Sequence, residues 1–498
     1  MLINYLIQKE NLSNSNILKR TYYILLFIGL AIGVLFDILF YKKTSGISYP
    51  IFIASLLVVF FISMRISRVQ LNNRAWVLAV PILVLSATLC IYSNIVLRNL
   101  NFLLIPVLMI TLSALVANIN KAPWSDFRFI ADIIKRILIP FESIHKPFTI
   151  FFGMISLDNR DKRKIAALKI FIGVIISVPL LAIIIWLLSS ADIVFKNLFT
   201  DIPFWTMIKH VIIVLLVSIY IFSFIFSIFK VKKSNEKKVY SKIGWKLFID
   251  PTVLLTILSL LNIVYIVFAV IQFAYLFGGN TFMLPSSFSY AEYARRGFFE
   301  LIAVTVINFA ILFFSITFIK KESRKANIVI KSFLSALVIF TFILLISAFY
   351  RMVLYEMAYG YTYHRIFVQV FMILLFLLFI INLIYIWYSR MPIVSAYILC
   401  SLILFVLLNF ANVDVIIAKN NINRYHSTGE IDINYLEGLS YDAIPITVGL
   451  LDCQDEEIAA QARDYLEREK EILTDQSSWQ SFNFSKVKAQ RILAKYID

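Results

Sequence analysis

The sequence predicts an all-α protein, a polytopic transmembrane helical bundle of about eleven spans with a small helical C-terminal appendage. Three observations predict it. Of 498 residues, 60% are hydrophobic and only 15% are charged, where soluble domains carry about 25% charged residues. Many apolar runs reach the roughly 20 residues needed to cross hydrocarbon as a helix. The basic residues sit in short loops between those runs, which is the pattern of membrane topology.

The runs place spans at 22–40, 48–64, 75–97, 101–117, 167–189, 208–229, 252–277, 298–319, 328–350, 365–387 and 394–418. Each is read as a helix because a backbone amide in lipid must be satisfied within its own segment. Tyr22–Phe40 is long and lacks a small-residue cleavage site, so it reads as a retained span and not a cleaved signal. Pro81 and Pro106 fall inside spans and predict local kinks, not boundaries.

The formal charge of +17 divides into about +22 over residues 1–418 and about −5 over 419–498. A basic excess can mean nucleic acid; here its place in interhelical loops points to the lipid bilayer as partner, with no nucleic acid expected. The amino terminus and the loops after the even-numbered spans hold about 29 Lys and Arg, and the opposite loops about 9. The first set is expected in the cytoplasm, which leaves the acidic tail outside. Cys90, Cys400 and Cys453 are too scattered for a disulfide framework or a zinc site.

Two domains follow: the bundle, 1–418, and an acidic helical tail, 419–498. Within the first, residues 126–139 carry Phe129, Ile130, Ile133, Ile134 and Ile137 at helical spacing. That segment either lies on the inner leaflet or covers the bundle's cytoplasmic end. In the tail, Ile458, Ala462, Tyr465, Leu466 and Leu473 mark an amphipathic helix, and Ser485 is expected to N-cap the last one. No internal repeat is evident.

Ionisable residues next to apolar runs are the candidates for function. In "SYAEYARRGFFELIAV", Glu292, Arg296 and Glu300 recur every four residues, so they share a helical face, with Arg295 beside them. Glu300 enters a span, where an ionised side chain costs about 3 kcal/mol unless paired; Arg296 is the expected partner. The plainer readings are a snorkelling cluster that anchors a helix end, or an assembly contact. In "YRMVLYEMAYGYTYHRIF", Arg351, Tyr355 and Tyr359 form one helical row and Met352, Glu356 and Gly360 another. Gly360 suits a helix C-terminus, Thr362 a cap, and His364 and Arg365 the top of the next span. The tyrosines alone would be an interfacial belt. Asp37 reads as a solvated residue near a helix end, Asp414 lies near the same side, and Asn308 and Asn382 read as ties between helices.

Catalytic patterns are thin. His145, His210, His364 and His426 are isolated, without an H-x-x-x-H or H-E-x-x-H pair, and no Walker loop, G-x-G-x-x-G or G-x-S-x-G occurs. Multi-span glycosyltransferases place acids in a large first outer loop; "YKKTSGISYP" is short and holds none. No catalytic set, metal site or cofactor is expected.

"YAEYARRGFFEL", "RMVLYEMAYGYTYHR" and "AKNNINRY…GEIDINYLEGLSYDAIP" together resemble the polytopic bacterial membrane proteins catalogued as domain of unknown function 4173, related to 4153. The resemblance runs from the seventh span to Pro445. Family motifs map onto Tyr293, Ala294, Arg295, Gly297, Phe298, Phe299 and Glu300, and onto Arg351, Tyr355, Tyr359, Gly360 and Arg365. They map also onto Asn421, Tyr435, Leu436, Leu439, Asp442 and Pro445. It implies a multi-pass protein of the bacterial cytoplasmic membrane and supplies no activity.

The functional expectation is transport or sensing through an outward-facing polar site. Its residues are Glu292, Arg295, Arg296, Glu300, Arg351, Tyr355, Glu356, Tyr359, His364 and Arg365. The arginines suit a small anion, a lipid headgroup or a peptide, and Glu300 and Glu356 would orient them or relay protons. The alternatives are a membrane enzyme acting on lipid-linked or envelope substrates, with Glu300, Glu356 or His364 as acid or base, and a structural protein docking an envelope partner through the tail.

Overall fold

Hydrophobic runs of this length can satisfy their amides only as helices, and the computed structural model is helical along its described residues. These are 2–66, 72–120, 128–155, 204–235, 250–277, 298–318, 324–474 and 478–497, with isolated positions at 122–126 and 170–195. The helices are α1 (Leu2–Phe40), α2 (Ser48–Ile66), α3 (Ala79–Ile91), α4 (Ile95–Val116), α5 (Arg128–Glu142), α6 (Lys146–Ile155), α7 (Phe204–Asn235) and α8 (Pro251–Phe277). Then come α9 (Phe298–Phe318), α10 (Arg324–Tyr359), α11 (Tyr363–Trp387), α12 (Ile393–Phe410) and α13 (Val413–Thr428). The tail continues as α14 (Ile433–Glu437), α15 (Ile444–Thr447), α16 (Glu456–Thr474) and α17 (Phe484–Tyr496).

Among the described residues nine helices are long and apolar enough to cross a membrane, and Ala75–Ile91 is a shorter apolar helix. The span expected at 167–189 lies mostly outside the described residues. Two expected spans divide differently. The run 75–97 ends at Ile91, because Asn94 starts a new helix by accepting from the Leu97 amide at 2.7 Å. The run 394–418 breaks after Phe410, where Asn412 takes a left-handed conformation (φ 51°) that asparagine tolerates better than most residues. Pro81 stands in the first turn of α3, just after the 3-10 turn Asn73–Leu78, so it marks a boundary. Pro106 lies within α4 as expected.

Two buried cores organise the bundle. One joins α1, α2, α3, α4 and α7; the other joins α8, α9, α10 and α11. α1 packs directly against α7 at Gly29 and Gly33. A Cβ on Gly33 would lie 2.4 Å from the Val214 carbonyl oxygen, so only glycine admits this packing. Polar residues inside the cores pair with one another. Tyr265 donates to Asn308 at 2.7 Å and Asn308 to Thr341 at 2.9 Å, tying α8, α9 and α10. Asn382 accepts from Tyr397 at 2.5 Å, and Asn101 of α4 donates to Asn409 of α12 at 2.7 Å, tying those two helices. Asp37 is not the solvated residue expected: its carboxylate meets His210 Nδ1 at 2.6 Å.

The segment at 126–139 forms α5 and has two apolar faces. Phe129, Ile133 and Pro140 are buried against the bundle, while Ile130, Ile134, Leu138 and Phe141 are exposed. One face of α5 thus packs on the bundle and another is left apolar and exposed.

The tail covers one end of the bundle. Ile47 donates its amide to the Phe482 carbonyl at 2.9 Å. Asn483 Nδ2 donates to the carbonyls of Leu89 and Tyr92 at 3.0 and 2.9 Å. Asn483, not Ser485, caps α17, accepting from Lys486 N at 3.1 Å; Ser485 is buried two residues on. In α16, Ala462, Tyr465, Leu466 and Leu473 are buried as the periodicity requires.

Candidate functional site

The end of α10 and the start of α11 carry the densest set of candidate residues. α10 stops because Gly360 turns left-handed (φ 85°), its amide donating to the Glu356 carbonyl at 2.8 Å. A side chain there would meet Asn421 Oδ1 at 2.8 Å. Thr362 occupies the cap position of α11 but makes no side-chain capping bond, contrary to expectation. The Tyr435 hydroxyl takes that role, accepting from the Tyr363 amide at 2.8 Å.

Arg365 folds back over this turn. Its guanidinium lies 4.3 Å from the centroid of the Tyr355 ring, which is tilted against the Tyr359 ring at 4.9 Å. It donates to the carbonyls of Tyr359, at 3.0 Å, and Gly360. A cation on the last carbonyls complements the α10 dipole, so Nη1 of Arg365 closes the end of the helix. Arg351 is buried one turn before Tyr355. Glu356 is 1% exposed. Its Oε2 accepts from Gln369 Nε2 of α11 at 2.7 Å, whereas Oε1 has no hydrogen-bond partner among the described residues. His364 is exposed.

The "YARRGFFE" cluster is only partly placed: Glu292, Arg295 and Arg296 lie outside the described residues. Glu300 is exposed in the first turn of α9. The Asn308–Thr341 bond fixes the antiparallel register of α9 and α10. Ten residues back along α9 stands Phe298, and ten residues on along α10 stands Arg351. Equal rise on both helices sets these two positions at the same end.

What sequence reasoning missed is the clamp that the tail places on the turn. Asn421 of α13 pairs with the Tyr361 backbone in both directions: Oδ1 accepts from its amide at 2.7 Å and Nδ2 donates to its carbonyl at 2.9 Å. Arg424 donates to the carbonyls of Met357, at 3.2 Å, and Ala358, at 2.8 Å, and to Glu430 Oε2 at 2.7 Å. Asp414, fully buried, accepts from Tyr363 Oη, from Asn94 Nδ2 at 2.5 Å and from the Ser440 amide at 3.0 Å. Asp442 Oδ2 accepts from the Ser93 amide at 2.6 Å, Ser93 Oγ at 2.9 Å and Ser440 Oγ at 3.0 Å. Burial raises the Asp442 carboxyl, and these bonds partly offset the rise. Burial likewise raises the Tyr435 and Tyr361 hydroxyls above the ordinary phenol range. The signal for Ser93 and Asn94 was present: a polar "SN" pair ahead of an apolar run reads as a helix start.

Among the described residues no group of three His, Cys, Asp or Glu side chains is placed to hold a metal. The fold and its cross-linked polar end define a multi-pass helical membrane protein. A family model, domain of unknown function DUF4153, matches residues 79–450, and the chain belongs to that family. The family is related to, and different from, the 4173 family that the motifs resemble, and the match begins at 79, well before the seventh span. No curated protein and no solved structure matches the chain.

Proposed function

We propose that the protein is a sensor of the bacterial cytoplasmic membrane. A polar site at the α10–α11 turn is its input and the tail is its output. The observation that carries this is Glu356: a buried carboxylate whose Oε1 has no hydrogen-bond partner among the described residues, four residues before a turn bonded directly to α13. An oxygen left unpaired in the interior is costly, so a proton or a ligand donor that reaches Oε1 stabilises one arrangement of the turn over another. Arg351 and Glu300, on α10 and α9 toward one end of the pair, are assigned to the same site, whose arginine favours a small anionic or zwitterionic ligand; Glu292, Arg295 and Arg296, expected beside them from sequence, lie outside the described residues.

Sensing is preferred to transport because, among the described residues, the polar groups Tyr265, Asn308 and Thr341 deep in the second core are engaged with one another. The tail is assigned to the outer surface, following the basic residues at the opposite end of the bundle.

The test is hydrogen exchange on the full chain in lipid nanodiscs. Glu356→Gln lets an amide NH2 or oxygen fill the unsatisfied position without changing size. It is expected to alter exchange across residues 413–440, and to do so much less when Asn421→Ala has cut the connection. If Glu356→Gln leaves the tail unchanged in both backgrounds, the sensing reading fails.

A further inference from the structure

A cleft of about 720 Å³ opens between α1, α2, α4 and α7 on the first half of the bundle. Its walls are apolar: Phe36, Phe52, Phe102, Met109 and Phe224 face it, and Lys43 and Ser45 stand at one end. The Lys43 ammonium is held there by a bond to the Ile38 carbonyl at 2.9 Å. With the Gln480 side-chain oxygen also accepting from Nζ at 2.6 Å, one of the ammonium's three donors remains for a ligand. Lys42 is exposed beside it, and no acidic residue lines the cleft among the described residues. We propose that this cleft binds one anionic phospholipid of the leaflet at the tail's end of the bundle, with an acyl chain along the cleft and the phosphate at Lys43.

Depth, charge and composition agree on that occupant. The lining runs from Tyr49 to Phe60 on α2 and from Phe102 to Ser113 on α4, an advance of eleven residues along each wall. Eleven residues rise about 16 Å, about half of a ~30 Å hydrocarbon core. The cleft is thus one leaflet deep. Its cation lies at the surface end, where a headgroup sits, and aromatic rings lie where a chain would run. The loop that carries Lys43 is fixed by the tail through the Ile47–Phe482 bond, so the mouth is preformed.

The experiment titrates delipidated full-length protein with palmitoyl-oleoyl phosphatidylglycerol, with phosphatidylcholine bearing the same chains, and with glycerol phosphate, and counts bound molecules by native mass spectrometry. One phosphatidylglycerol is expected to be retained ahead of phosphatidylcholine, and glycerol phosphate alone is not. Lys43→Gln should lower the preference for the anionic lipid about fivefold, and Val59→Trp, which fills the cleft, should abolish retention of that one lipid. A second readout needs no filling variant. Trp76 packs at 6.0 Å on Phe60 at the deep end, so a lipid brominated at its chain terminus should quench Trp76 at one equivalent in the parent and not in Lys43→Gln. Equal lipid retention with equal headgroup preference in all variants, or quenching indifferent to Lys43, would overturn the proposal and leave only unspecific lipid around the bundle.

Discussion

Asn421 and Tyr361, sixty residues apart in sequence, are joined by two hydrogen bonds running in opposite directions, at 2.7 and 2.9 Å. The side-chain amide of one thereby replaces a backbone partner for the other. This pair, with Arg424 on the preceding carbonyls, makes the turn and the tail one unit.

Asn421→Ala should therefore destabilise the protein by about 1–3 kcal/mol, since a partly buried amide and carbonyl lose their partner together. Gly360→Ala should cost a similar amount through the left-handed backbone and the contact with Asn421. Thermal unfolding in nanodiscs checks both. A loss below about 0.5 kcal/mol for each would show that the turn stands without the clamp.

Asp442 predicts a pH dependence of known sign. Its carboxyl is raised in the folded protein by burial, so the folded state holds the proton more tightly than the unfolded one. The stability this contributes is full below the ordinary carboxylate range, about pH 4, and is lost as pH rises through the folded value. Asp442→Asn keeps an oxygen for the Ser93 amide and cannot titrate. Its melting temperature should gain on the parent's as the pH is raised from about 4 to neutrality; parallel curves would contradict the assignment.

The Asn101–Asn409 bond ties α4 to α12. Asn409→Leu is expected to cost about 1 kcal/mol, and a double-mutant cycle with Asn101→Leu should show most of that loss as coupling. Independent, additive losses would mean that the asparagines act through other neighbours.

Gly33→Val places side-chain carbon against the Val214 carbonyl, where a single Cβ already comes within 2.4 Å. Because α1 and α7 pack along much of their lengths, the variant should lose more than 2 kcal/mol or fail to fold. An intact melting profile would show that α1 can shift away.

Hydropathy made the spans legible, since a run of apolar residues has only one way to satisfy its amides in lipid. It blurred where a break falls inside an apolar run. "CIYSNIV" and "NFANVDV" look continuous by hydropathy, yet Asn94 and Asn412 divide them through a cap and a left-handed turn. Gly360 was readable as a helix end because a positive φ is what glycine supplies at that position. The roles of Arg365 and Glu356 were not readable. Whether a guanidinium meets a ligand or a carbonyl, and whether a carboxylate meets an arginine or Gln369, depends on how α10 and α11 lie against each other. Ser485 and Asn483 are both good caps two residues apart, and the choice was settled by Ser93 and by the carbonyls of Leu89 and Tyr92.

The central claim is that the tail clamps the polar turn, and hydrogen exchange at residues 357–363 tests it most directly. In Asn421→Ala/Arg424→Ala those amides should exchange about ten- to a hundredfold faster than in the parent, while amides in the middle of α10 and α11 stay as protected as before. Unchanged protection at 357–363 in the double variant would contradict the claim.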